Sequence, residues 1–212
     1  MRIVSIDLNK DYSEVIGEAL EVLKFGGVIV YPTDTVYGLG ANALDELAAL
    51  KIFRIKERDL SKPLPILIKN LIWAKELAFI DSKHEKFLNK VWPGKTTVIF
   101  PKKGIVPSVT TAGVASVGLR VPDYPFVDKL LGKFGYPLTG ISANVSGNEA
   151  TNDIERVVND FKGKNRRPDL VIDVGLLPKT DPSTVVDLTG DQPKILRVGP
   201  SKPDQLMKLL EM

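Results

Sequence analysis

Residues 11–32, DYSEVIGEALEVLKFGGVIVYP, hold a helix followed at once by a buried strand, and that succession sets the fold class. Asp11-Tyr12-Ser13-Glu14 has the spacing of a capping box. Val15, Ile16, Ala19, Leu20 and Leu23 then recur on one helical face until Gly26-Gly27 stops the helix. Val28-Ile29-Val30-Tyr31 is a continuous apolar run closed by Pro32, the pattern of an interior strand covered on both faces.

The same alternation continues outward in both directions. Ile3-Val4-Ser5-Ile6 reads as a short strand upstream. Downstream, Asp45 caps a second helix that turns Leu47, Leu50, Ile52 and Phe53 inward and leaves Lys51, Arg54, Lys56 and Arg58 outside or at its end. Leu64-Pro65-Ile66-Leu67-Ile68 reads as a strand whose proline predicts an edge or a bulge. Helices over residues 71–78 and 84–91 lead through the turn Trp92-Pro93-Gly94 to a strand at 96–100. Further strands fall at 117–121, 138–141, 170–174, 183–188 and 195–198, with helices at 126–134, 153–161 and from Pro203. Strands and helices at this pitch predict an α/β fold, a mostly mixed, twisted sheet with helices on its faces. One domain over residues 1–212 is expected, with its core over about residues 10–200 and neither repeat nor low-complexity linker.

Composition narrows the chemistry. Apolar residues make up 43% and charged residues 26%, far from a disordered chain, and 29 Lys and Arg against 26 Asp and Glu leave only +3. Such a balance does not announce a nucleic-acid protein, although it permits a local basic groove. The absence of cysteine excludes disulfides, thiolate metal sites and a cysteine nucleophile. The one histidine, His84, lies on a charged helical face and is read as solvated, so no zinc, haem or redox cofactor is expected. No secretory signal or spanning segment is read at the start, which makes the cytoplasm the expected location.

Polar residues collect at element ends. Residues 32–42, Pro-Thr-Asp-Thr-Val-Tyr-Gly-Leu-Gly-Ala-Asn, read as a loop after a strand, where open α/β sheets gather small ligands. Plain turn chemistry is the alternative, and the run lacks the Lys-Ser/Thr of a Walker loop. Lys56, Arg58 and Lys62 suit a phosphate chain, or serve only to complement a helix C-terminus. Arg120 lies inside an apolar strand and must find a carboxylate, from the protein or from a substrate. Ser142-Ala143-Asn144, Ser183-Thr184 and Arg197 sit at or near strand ends, and the basic run at 162–168 reads as a solvated loop or a nucleic-acid contact.

Taken in order, residues 32–42, Lys56-x-Arg58, Trp92-Pro93-Gly94, Leu119-Arg120-Val121-Pro122, Ser142-x-Asn144, Pro182-Ser-Thr-Val185 and Leu196-Arg-Val-Gly-Pro200 resemble the YrdC/TsaC family of threonylcarbamoyl-AMP synthases over nearly the whole chain. The resemblance implies a YrdC-like fold with a concave, positively charged groove. It also implies synthesis of threonylcarbamoyl-AMP from L-threonine, bicarbonate and ATP, with release of pyrophosphate, for tRNA threonylcarbamoyladenosine. Thr35, Arg120, Gly140 and Ser183 would hold threonine, with Arg120 as the fork for its carboxylate. Lys56, Arg58, Lys62, Ser116, Ser142, Asn144 and Arg197 would hold ATP, with Lys56 and Arg58 as the catalytic cations.

The implied reaction needs no side-chain nucleophile, because the threonine amine takes up carbon dioxide or bicarbonate and the resulting carbamate attacks the α-phosphate. Mg²⁺ would bridge phosphate oxygens, and neither Asp34 nor Asp59 is assigned to it. Leu67 stands where many relatives carry histidine, and Ala150-Thr151 where others have serine, so those contacts are missing or replaced. The resemblance is to the single-domain branch, without the extra C-terminal domain of longer relatives. It also associates the chain with tRNA or double-stranded RNA and with downstream threonylcarbamoyl-transfer machinery. An RNA-binding module using the same cations, or a nucleotide-binding paralogue without this chemistry, are the competing readings.

Overall fold

A computed structural model describes residues 1–211. The chain runs β1 (Arg2–Ser5), α1 (Ser13–Lys24), β2 (Ile29–Tyr31), β3 (Gly38–Gly40), α2 (Glu46–Lys56), β4 (Ile66–Leu67), α3 (Leu71–Leu77), α4 (Ser82–Val91) and β5 (Thr96–Pro101). It continues through β6 (Ser116–Arg120), α5 (Pro125–Phe134), β7 (Leu138–Thr139), β8 (Ile141–Ser142), α6 (Ile154–Phe161), β9 (Leu170–Asp173), β10 (Thr184–Asp187), β11 (Lys194–Arg197) and α7 (Pro203–Glu211). The strands divide between two mixed sheets, ordered β1-β9-β2-β3-β8 and β11-β10-β5-β6-β4-β7. Among the described residues no helix is long and apolar enough to cross a membrane.

β2 is the interior strand its sequence predicts, parallel to β9 and antiparallel to β3. The two-residue period of a strand sends Val28 and Val30 into a core with Ile52, Phe53, Val157 and Phe161 of α2 and α6. Ile29 and Tyr31 enter the opposite core with Ile16 and Leu23 of α1 and Phe126 and Leu130 of α5. Each such buried aliphatic side chain contributes about 1.5–3 kcal/mol.

The six-stranded sheet is covered unevenly. Val98, Phe100, Val117, Leu119 and Val186 pack on Leu77, Phe87, Leu88 and Leu206 of α3, α4 and α7. The alternate residues Ile99, Ser116, Gly118 and Val185 are only half-buried. They share the other face with Thr97 and Arg120, and that face belongs to the site.

Several expectations change. Asp11 does not build a capping box: its carboxylate accepts from the backbone and hydroxyl of Ser13, and Tyr12 becomes the N-cap. The stretch read as one loop over residues 32–42 contains β3, because Gly38 and Gly40 lie flat beneath the Tyr31 ring, where a Cβ would fall within 2.7 Å and 2.6 Å of it. Leu47 is 73% exposed, and α2 instead buries Ala48, Ala49, Ile52, Phe53, Ile55 and Lys56. β4 is an interior strand despite Pro65, which stands just before it and so removes no ladder donor. His84 is only partly solvated, since its Nδ1 lies 3.0 Å from the cap residue Asp81 and its ring meets Phe100 edge-on.

The run read as one strand over 138–141 is two strands in different sheets. β7 pairs with β4 and β8 with β3, and the chain changes sheet at Gly140. Gly140 donates its N–H to Pro65 O at 2.7 Å, which presses its α-carbon onto Leu67. A Cβ there would stand 2.7 Å from both Cγ and Cδ2 of Leu67, a side chain with no room to retreat. Gly140→Ala is expected to lower stability by about 1–3 kcal/mol by overpacking. In urea unfolding, Gly140→Ala/Leu67→Ala should be more stable than the sum of the single effects predicts, by about 1 kcal/mol. Strict additivity would show that the two positions do not compete for space.

Candidate active site

Arg120 ends β6 with its guanidinium buried, and three neighbours hold it. Nε donates to Gly94 O at 2.8 Å, Nη1 to Thr35 Oγ1 at 3.2 Å and Nη2 to Asp34 Oδ1 at 2.5 Å. The Arg120 and Asp34 side chains are only 6% and 7% exposed. The carboxylate that a buried arginine demands therefore comes from the protein. Asp34 is the residue that sequence reasoning passed over, though it was the carboxylate of the loop leaving β2. Thr35 is set by a local turn in which its N–H donates to Thr33 Oγ1 and Thr33 Oγ1 donates to Val36 O.

Lys56 forms a second cluster. The last turn of α2 directs it inward, to 2% exposure, and its Nζ donates to Ser142 O (2.6 Å), Asn144 O (2.7 Å) and Asn144 Oδ1 (3.0 Å). Ser142 Oγ donates to the same Asn144 Oδ1 at 2.6 Å, and Asn144 Nδ2 donates onward to Val145 O and Asn148 O. Asp160 of α6 clamps the far side of this turn by accepting from Val145 N and Asn148 Nδ2. Lys56, read as an outward cation, is thus the anchor of the Ser142-x-Asn144 turn. Burial draws its pKa from 10.5 down to about 7, with repulsion from Arg58 adding to the effect and Asp160 opposing it.

Arg58 leaves the helix because Glu57 adopts the left-handed conformation, with φ of 52°. It donates to Lys62 O and Pro63 O. Burial lowers its pKa from the usual arginine value. Among the described residues neither Arg58 nor the exposed Lys62 forms an ion pair within 4 Å, although the Asp59 carboxylate acts on both through space. Arg197, grouped with the nucleotide cations by resemblance, stands with Ser183 instead: Nε donates to Ser183 O and Nη2 to Ser183 Oγ. Burial lowers the Arg197 pKa, and repulsion from Arg120 lowers it further, which places both guanidiniums in one field. Ser183 Oγ also meets Thr97 Oγ1 at 2.8 Å.

The remaining expected residues are distributed around these clusters. Ser116 lies on the same open sheet face as Arg120, four residues away along β6. Gly140 joins the two halves, because it separates β7 from Ser142. Leu67 points into the apolar core rather than toward the polar residues. Thr151 is buried, accepting from Asp153 N at the start of α6. In the basic run, Lys164 pairs with Glu57 at 2.6 Å, which docks that loop beside Arg58, while Lys162, Arg166 and Arg167 stay exposed. Among the described residues no group of three or more His, Cys, Asp or Glu is placed to hold a metal ion. Asp34 is committed to Arg120, and the exposed Asp59 belongs to no such group, so the pair does not build a magnesium site.

Two mixed sheets carrying a held guanidinium and a lysine-anchored Ser-x-Asn turn define an α/β protein with a polar cluster on each sheet. The Sua5/YciO/YrdC family model, described as telomere recombination, matches residues 21–199, and the chain belongs to that family. It is 36% identical over 192 residues to the threonylcarbamoyl-AMP synthase of Pyrococcus abyssi, covering 89% of this chain and 55% of that protein. A putative threonylcarbamoyl-AMP synthase of Methanocaldococcus jannaschii is 32% identical, with 91% and 90% covered. The uncharacterized protein YciO of Escherichia coli is also 32% identical, with 89% and 92% covered. The chain thus spans about half the length of the Pyrococcus synthase it matches. Among solved structures, P. abyssi Sua5 complexed with L-threonine superposes with a TM-score of 0.92 at 34% identity, covering 99% of this chain and 61% of that one. E. coli YciO superposes with a TM-score of 0.82 at 29% identity, covering 95% and 96%.

The Lys56 pKa sets a pH signature. Between pH 7 and 10.5 the unfolded chain keeps the Lys56 proton and the folded chain releases it, so unfolding free energy rises with pH across that window. Relative to Lys56→Met, wild-type stability is expected to climb by roughly 1 kcal/mol per pH unit there. Urea melts of both proteins at several pH values check this, and parallel profiles would mean that Lys56 stays protonated throughout.

Proposed function

We propose that this chain synthesises threonylcarbamoyl-AMP from L-threonine, bicarbonate and ATP, releasing pyrophosphate, in the service of tRNA modification, and that residues 1–212 act as one YrdC-like unit. The observation that carries the reading is the single hydrogen-bonded network of Lys56, Ser142 and Asn144, with Arg58 beside it and Arg120 at the end of β6 in the other sheet. Family membership and the similarity to synthases support it.

In this reading the threonine amine attacks carbon dioxide, or bicarbonate with loss of water, and gives up a proton to form a carbamate. A carbamate oxygen then bonds to the α-phosphorus, and the bond to the β-phosphate oxygen breaks, its electron pair leaving with pyrophosphate. The nucleophile is part of the substrate, so the protein acts by positioning and by charge. Thr35, Arg120, Gly140 and Ser183 surround threonine. Arg58 and Lys62 face the phosphates, and Ser116, Ser142 and Asn144 complete the nucleotide half through the turn that Lys56 anchors. Arg197, through Ser183, bridges the two halves. Magnesium belongs to the ATP phosphates as their counter-ion, and no step is assigned to it. The exposed cations at residues 162–167 offer tRNA a phosphate contact beside Arg58, and the adenylate passes to a threonylcarbamoyl-transfer enzyme.

Similarity to YciO favours one second reading, a nucleotide-binding paralogue without this chemistry. Incubation with ATP, radiolabelled bicarbonate and L-threonine separates the two: a labelled adenylate and threonine-dependent pyrophosphate release are expected. Arg58→Ala should lower kcat/KM about 100-fold, the effect of removing one phosphate-facing cation. A folded wild-type protein that releases no pyrophosphate in response to threonine is the paralogue.

A further inference from the structure

A guanidinium carries five N–H donors, one on Nε and two on each terminal nitrogen. In Arg120, three are committed: Nε to Gly94 O, one on Nη1 to Thr35 Oγ1 and one on Nη2 to Asp34 Oδ1. One N–H on Nη1 and one on Nη2 remain. With Nε spent, the two-point grip through Nε and Nη2 is closed, and a carboxylate taking two donors must take them from the terminal nitrogens.

Asp34 fixes this arrangement from both of its oxygens. Oδ1 takes Nη2, and Oδ2 accepts the backbone N–H of Asp123 at 3.3 Å, in the segment that leaves β6. Gly94 is tied back in turn, its N–H donating to Val121 O. The guanidinium plane is thus set by the loop after β2 on one side and the turn before β5 on the other.

We propose that Asp34 is the positioning residue that orients the Arg120 fork toward the threonine carboxylate, so that it sets threonine affinity without touching threonine. The assignment rests on the function proposed above. Asp34 also neutralises Arg120, which leaves Arg197, with only Ser183 oxygens as partners, to balance the substrate's negative charge.

A purely structural ion pair would lower stability and weaken both substrates together; a positioning role separates them. Steady-state kinetics with calorimetry on the full chain reads the difference. Asp34→Asn is expected to raise both KM and calorimetric Kd for L-threonine about tenfold or more, while KM for ATP and kcat at saturating threonine stay within roughly twofold. Its preference for L-threonine over L-threoninamide, which lacks the carboxylate, should fall by a similar factor. Asp34→Glu keeps the buried charge compensated and shifts it by one methylene, so it carries the test if the asparagine variant does not fold. About a three- to tenfold rise in threonine KM, with ATP unaffected, is expected from it.

Unchanged threonine affinity in either folded variant overturns the proposal, as does a fall in kcat at constant KM, or a parallel loss of ATP and threonine affinity. A wild-type chain that binds L-threonine without releasing pyrophosphate overturns the proposed function and leaves the calorimetric comparison of Asp34 decisive. One that does not bind L-threonine overturns both.

Discussion

The buried pair of Arg120 and Asp34 is the constraint on which the rest of the site depends. Arg120 belongs to the six-stranded sheet, and Asp34 to the loop between two strands of the five-stranded sheet. Their hydrogen bond therefore ties one sheet to the other at the point where the polar residues gather. Removing one partner of a buried pair costs about 3–5 kcal/mol, because the other charge is left unpaired in a poor solvent. Replacing both with apolar side chains of similar volume is often neutral. Cohesion between the sheets alone does not require the ions.

Lys56 and Arg58 lie two residues apart and do opposite things, and the backbone explains why. At Lys56 the helix is still regular, so its side chain follows Ile52 and Phe53 into the interior and finds three oxygens waiting. At Glu57 the chain enters the left-handed region, a conformation that costs a non-glycine residue on the order of 1 kcal/mol. That reversal carries Arg58 away from the helix and lets Glu57 hold Lys164. The inward cation shapes the Ser142-x-Asn144 turn, and the outward one is left with backbone carbonyls for partners.

How far the sequence could be read depended on whether a residue's surroundings lay close in the chain. The apolar period of α1 and the continuous run of β2 are local, and both elements stand where that pattern puts them. Gly38-Leu39-Gly40 is a strand by its pairing with β2 and β8, where its glycines leave room for the ring of Tyr31 on the adjacent strand, and no propensity announces that. The apolar run at 138–141 conceals a change of sheet that depends on Pro65 and Leu67. Leu47 looked like a core residue by type and Lys56 like a surface one, and the packing of α2 reversed both. In the site, the need of Arg120 for a carboxylate was legible, while the identity of its partner, 86 residues earlier, was not.

Charge compensation then distinguishes the cations by the work left to them. Arg120 is neutralised by Asp34 and keeps direction without net charge. Lys56 is surrounded by uncharged oxygens in the field of Asp160, and burial already weakens its hold on its proton. Arg58 and Arg197 donate only to carbonyl and hydroxyl oxygens, with Asp59 offsetting part of the Arg58 charge through space. A substrate pair that arrives with a carboxylate and a triphosphate would meet orientation at Arg120, with Arg197 in the same field. Under the proposed chemistry negative charge migrates from the carbamate toward pyrophosphate. Fixed cations of this kind stabilise that movement without reorganising, because the protein has oriented them before the substrates bind.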